Sequence, residues 1–125
     1  MTQPLSLFLD STAGIEVVRD AVASIIGHPF ARQDNNTGAI YKSIAFCIEW
    51  VFYGNHELVD DCGIEFSQYE YQLQMMPFWM SPEQAEYDSF YERCALFVAS
   101  RLSVTLACRI LVVANLQHKV ATFSR

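Results

Sequence analysis

The sequence predicts an α+β fold, a small and mainly antiparallel sheet with helices packed on it, in the order α-β-β(-β)-α-β-(α). Three observations predict it. Apolar residues recur at helical spacing near both ends of the chain, alternating or continuous apolar runs lie between and after them, and turn-forming residues bound each segment. At 125 residues the chain has the length of one domain, enough to bury about two-thirds of its unfolded surface. A hydrophobic fraction of 52% against 18% charged residues marks a folded globule rather than a disordered tail.

The first predicted element is a helix. Ser11 or Thr12 can cap it, Ile15, Val18, Val22, Ile25 and Ile26 fall at helical spacing, and Gly27 and Pro29 stop it. The stretch from His28 to Gly38 that follows reads as loop. From Ile40 to Tyr53 the pattern is a strand, with Ile40, Ile44, Phe46, Ile48, Trp50 and Phe52 on one face and Ala45, Cys47 and Val51 softening the other. Gly54-Asn55 then marks a turn.

Residues 58–76 carry a change of phase. Leu58, Cys62, Ile64 and Phe66 hold even positions, whereas Tyr69, Tyr71, Leu73 and Met75 hold odd ones. One β-bulge near Ser67-Gln68 restores the register and sets Asp61, Glu65 and Glu70 on one polar face of a single strand; two separate strands are the alternative. Ser81-Pro82-Glu83-Gln84 opens a second helix, with a capping Ser, Pro at the first helical position and Gln closing a capping box. That helix is expected to reach about Leu106 and to be central, because Cys94–Ala99 is apolar on nearly all sides. Ile110–Ala114 reads as a strand buried on both faces. Asn115 can cap a last short helix, with a terminal strand as the competing reading.

The charge is unevenly placed. The net charge is −6, but residues 43–92 hold ten of the fourteen acids and no lysine or arginine. Glu83, Glu86 and Asp88 are explained by the second helix, whose first turn stabilises a carboxylate by roughly 0.3–1 kcal/mol, and Glu92 is helix surface. Strands disfavour acids, so Glu49, Asp60, Asp61, Glu65 and Glu70 form the candidate surface for a basic partner. Charge at a sheet edge also guards against aggregation. Trp79, in the apolar MMPFWMSP segment, is either a lid residue over the core or an aromatic anchor at the rim of that surface.

Other chemistry is weakly marked. The eight basic residues are scattered, which argues against nucleic-acid binding. No apolar run reaches a membrane span, and the N-terminus lacks the basic region of a secretion signal. Cys47, Cys62, Cys94 and Cys108 show no C-x-x-C spacing and read as small buried residues of a reduced, cytoplasmic protein. His56 with Glu57, Asp60, Asp61 and Cys62 lacks ligand spacing, so no metal, cofactor or catalytic site is expected.

The size, the charge layout, the element order and the stretch from Cys108 to Val113 leading into Asn115-Leu116-Gln117 resemble the immunity proteins of bacterial toxin systems, those of contact-dependent growth inhibition above all. The resemblance implies a cytoplasmic inhibitor without catalytic residues, bound to a basic, nuclease-like toxin domain through its acidic face. Three other classes fit the same chain: a nucleic-acid mimic that blocks another basic protein, a homodimer or larger homo-oligomer paired through its aromatic surface, and a small enzyme using His56 and nearby carboxylates.

Overall fold

The computed structural model describes residues 4–35, 38–77 and 84–124. The elements are β1 (Leu5–Leu9), α1 (Ile15–Ile26), β2 (Ala31–Asn35), β3 (Gly38–Ala45), β4 (Ile48–Tyr53), β5 (Tyr71–Pro77), α2 (Gln84–Thr105), β6 (Ile110–Ala114) and β7 (His118–Phe123). The strands form one seven-stranded sheet in the order β2-β3-β4-β5-β1-β6-β7, antiparallel at every pairing. The chain is therefore α+β, as the sequence predicts.

The element order differs from the expectation at four places, each with a physical cause. Leu5–Leu9 is a strand, and every one of its residues is buried. Its four apolar residues mark a strand covered on both faces, and the buried Ser6 hydroxyl accepts from the Gln72 amide at 3.1 Å. Polar Ala31–Asn35 is an edge strand, where only one side needs a hydrogen-bonding neighbour. The single strand expected over Ile40–Tyr53 is a hairpin that turns at Phe46-Cys47, so Phe46 leaves the line of buried residues. The chain ends in β7 and not in a helix. Asn115 and Leu116 take positive φ, and the Gln117 N–H closes a turn on the Ala114 carbonyl.

Both helices pack on the inner face of the sheet. The rows Tyr41–Phe52–Leu73–Leu7–Val112 and Trp50–Met75–Leu5–Ala114 run across it in register, and Val18, Val22, Ile26, Ala95, Ala99 and Leu102 close over them. Gly27 ends α1 as expected, at φ 75°, with its N–H on the Ala23 carbonyl.

Tyr91 links α2 to the strands beneath it. Its hydroxyl accepts the Leu5 N–H at 2.8 Å and donates to the Met75 carbonyl, and the ring is buried. One side-chain oxygen thereby serves two strands at the margin of their ladder.

The cysteine expectation is corrected. Cys108 is buried and Cys94 half-buried, but Cys47 and Cys62 are exposed, because both lie in tight turns. Burial, and after it the Asp10 carboxylate, pushes the Cys108 thiol from 9.0 up to about 11.

Two outcomes follow from this packing. Tyr91→Phe leaves a buried N–H and a buried C=O without their partner and should lower stability by roughly 1–3 kcal/mol, read from a urea midpoint at unchanged slope. Folding favours the neutral Cys108 thiol, so its contribution is full below pH 9.0 and disappears as pH rises to about 11. Stability measured across that window should fall, and Cys108→Ala should flatten part of the decline.

Candidate partner-binding surface

Adjacent antiparallel strands can be joined by two residues, yet β4 and β5 are joined by residues 54–70. This long connection folds across the outer face of the sheet. Ile64, Phe66 and Tyr69 are buried from it against Phe8, Leu111 and Val113, forming a second apolar cluster. Phe8 stands at its centre, with ring centroids of Phe66 and Tyr69 at 4.9 and 6.3 Å. The phase change in the sequence marks this excursion and is not a bulge within one strand. Asp61, Glu65 and Glu70 accordingly do not share a strand face.

The connection is pinned by its own polar groups. The His56 ring accepts the Leu58 N–H at Nδ1 (3.0 Å), which leaves Nε2 to donate to the Tyr69 carbonyl (2.8 Å), and the ring meets Phe8 edge-on at 5.5 Å. Both ring nitrogens are engaged with backbone, so His56 holds the loop closed. Asp60 accepts the Ser67 N–H on one carboxylate oxygen and the Ser67 hydroxyl on the other, at 2.8 and 3.1 Å. Asp61 and Ile64 exchange backbone hydrogen bonds around Cys62 and Gly63, both at positive φ, and the Asp61 carboxylate accepts the Cys62 N–H.

Four of the residues singled out in the sequence meet on this loop. Asp60, Asp61, Glu65 and Glu70 are all exposed on it, with Glu57 beside them. Asp60 lies against Ser67, between Glu65 and Glu70 in the chain. Glu70 helps line a polar cleft of about 330 Å3 with Asp10, Ser11, Thr12, Ser67 and Gln68. At the same end Arg109 pairs with Asp10 at 3.0 Å and lies over the Tyr69 ring at 5.4 Å. Its hydrogen bond to Asp10, then the Tyr69 ring and the Asp10 charge, and more weakly Glu65, raise the guanidinium pKa. Burial raises the Tyr69 phenol, against the opposing pull of Arg109.

Glu49 is not part of this group. It is half-buried on β4 beside Ile44 and Met76, at the end of the strand remote from the loop. Its nearest electrostatic effect is on Tyr53, whose phenol is raised by burial first and Glu49 second. Trp79 lies outside the described residues.

Sequence reasoning missed a second surface, on the helix side. Phe46, Phe90, Phe97 and Val104 are exposed at 54%, 44%, 59% and 71%, whereas the apolarity around Cys94–Ala99 had implied a fully enclosed helix. The signal was the seven-residue spacing of Phe90, Phe97 and Val104, one line down a helix. Phe46 is presented by the β3–β4 turn and meets Phe90 at 6.5 Å between ring centroids.

No family model, curated protein or solved structure matches the chain.

The loop should respond differently to its inward and outward residues. His56→Ala leaves the Leu58 N–H and the Tyr69 carbonyl without their partner and should cost roughly 1–3 kcal/mol. Amide exchange should quicken across 55–70 before it does in β1 or β6. Glu65→Ala and Glu70→Ala should leave the unfolding midpoint where it is.

Proposed function

We propose that the chain is an immunity protein, an inhibitor that binds and neutralises a basic, nuclease-like bacterial toxin domain in the cytoplasm. The observation that carries this reading is the 54–70 connection. It exposes Glu57, Asp60, Asp61, Glu65 and Glu70, contains no lysine or arginine, and is held in shape by hydrogen bonds to its own backbone. A nuclease cleft is basic because it grips phosphate, and a preformed anionic surface can occupy it. Such a surface accelerates association and discriminates against acidic proteins, while its rigidity limits the ordering cost of binding.

On this reading the chain acts by occupancy, with neither cofactor nor catalytic residue. Asp61, Glu65 and Glu70 meet the partner's cations, and Asp60, with both oxygens on Ser67, sets the shape of the loop. Glu49 contributes to the long-range field from the neighbouring part of the outer face.

The test is coexpression with the polypeptide encoded immediately upstream of this chain. Growth protection by the wild type is expected, and loss of protection by the triple variant Asp61→Lys, Glu65→Lys, Glu70→Lys. With purified partner, that variant should associate at least roughly tenfold more slowly and with a weaker dependence on salt. Unchanged association and unchanged salt dependence would remove the acidic loop from the interface.

A further inference from the structure

Phe90 and Phe97 of the exposed stripe, with Arg101 and Thr105, form the α2 wall of a groove. The opposite wall is α1, whose Val17, Ala21 and Ile25 recur every four residues and so form a ridge. Two cavities, of about 260 and 680 Å3, lie between the helices and share Ile25 and Phe97, so the groove is continuous. Trp50 and Val98 form the floor at one end. From Phe90 to Thr105 the groove runs about 22 Å at 1.5 Å per residue, the length of a four-turn helix. An exposed apolar surface of this extent, rich in aromatics and arginine, has the composition of a protein interface.

Charge identifies the occupant. Arg93 and Arg101 line the two cavities, are exposed, and flank the stripe on either side. Among the described residues neither has a carboxylate within ion-pair distance. The acid on the α1 wall, Asp20, is already paired with Arg19 at 2.9 Å. The groove's unpaired charge is therefore cationic, although the chain as a whole is acidic. A second copy is disfavoured because an isologous contact presses a patch against itself. Here that would bring the unpaired Arg93 and Arg101 of both copies into one seam whose lining acid, Asp20, is already paired with Arg19.

The β3–β4 turn supports a role in binding. Phe46 and Cys47 both sit at φ 59°, the left-handed region that two-residue hairpins normally fill with Asn-Gly. An aromatic held there is strained, and in that conformation Phe46 lines the groove and meets Phe90. We infer that the groove between α1 and α2 docks an amphipathic helix of a second protein, apolar along one stripe and flanked by carboxylates. The mode is helix-in-groove recognition, on the face of the molecule opposite the acidic loop.

The experiment uses the full chain and two synthetic helical peptides with the same leucine stripe, one flanked by glutamates and one by lysines, followed by fluorescence anisotropy. The glutamate peptide should bind, and the lysine peptide should bind roughly tenfold more weakly or not at all. Arg93→Glu with Arg101→Glu should reverse that preference. Replacing Phe46-Cys47 by Asn-Gly should raise Tm and weaken the glutamate peptide, which separates lost binding from lost folding. The triple loop variant Asp61→Lys, Glu65→Lys, Glu70→Lys should bind the peptide as the wild type does, so failure of the acidic-loop reading and failure of this one are distinct results. Equal binding of both peptides, or of neither, would overturn the inference. So would a sedimenting dimer that Phe97→Ala dissociates, because the occupant would then be a second copy.

Discussion

A seven-stranded sheet has two faces to cover, and here both helices lie on one of them. β1 and β6, near one end of the sheet, have every residue buried, so the face away from the helices needs a cover of its own. The 54–70 connection supplies it by laying Ile64, Phe66 and Tyr69 over Phe8, Leu111 and Val113. Without that layer Phe8 and Leu111 would face water on the outer side of β1 and β6. The acids of the loop are thus carried outward by a segment whose inward residues are obligatory. The anionic surface is fixed in place because a hydrophobic requirement lies directly beneath it.

Much of the architecture was legible in the residues. α1 with its glycine stop, β6, and α2 to within a turn follow from apolar spacing, because local signals and tertiary burial agree there. The N-cap of α1, however, is Gly14 and not Ser11 or Thr12, and the Ser81-Pro82-Glu83 start of α2 lies outside the described residues. Failures came where tertiary context overrode local pattern. Leu5–Leu9 looked like a short apolar terminus, since nothing nearby says that it pairs with β5 and β6. The hairpin at Phe46-Cys47 carries no Gly or Asn to announce it. The run 58–69 has strand-like alternation, yet its apolar residues pack as a non-repetitive cover. The acid-rich composition of the candidate surface could be read directly. Its shape could not, because it depends on His56 reaching Tyr69 and on Asp60 reaching Ser67, contacts between residues thirteen and seven positions apart.

The two exposed surfaces differ in physical character. The outer one is polar, made of carboxylates on a pinned irregular backbone, and its field extends beyond contact range. The helix-side one is apolar, with the exposed Arg93 and Arg101 at its margins. They lie on opposite sides of the sheet, one over the helix-side cluster of Trp50, Phe52 and Leu7 and the other over Phe8, Leu111 and Val113. One small domain can therefore present two chemically distinct faces without either competing for the same residues.

The alternation within the 54–70 connection also separates two kinds of selection. Its inward set (His56, Ile64, Phe66 and Tyr69) is constrained by volume and by hydrogen-bond geometry. Positions such as Glu65, Gln68 and Glu70 project into solvent, where substitutions away from structural features change stability little. On the proposed reading, recognition can drift at those positions while the fold stays put. A lineage obliged to follow a changing partner could rewrite the outside of this loop residue by residue, and the sheet beneath would carry no trace of the change.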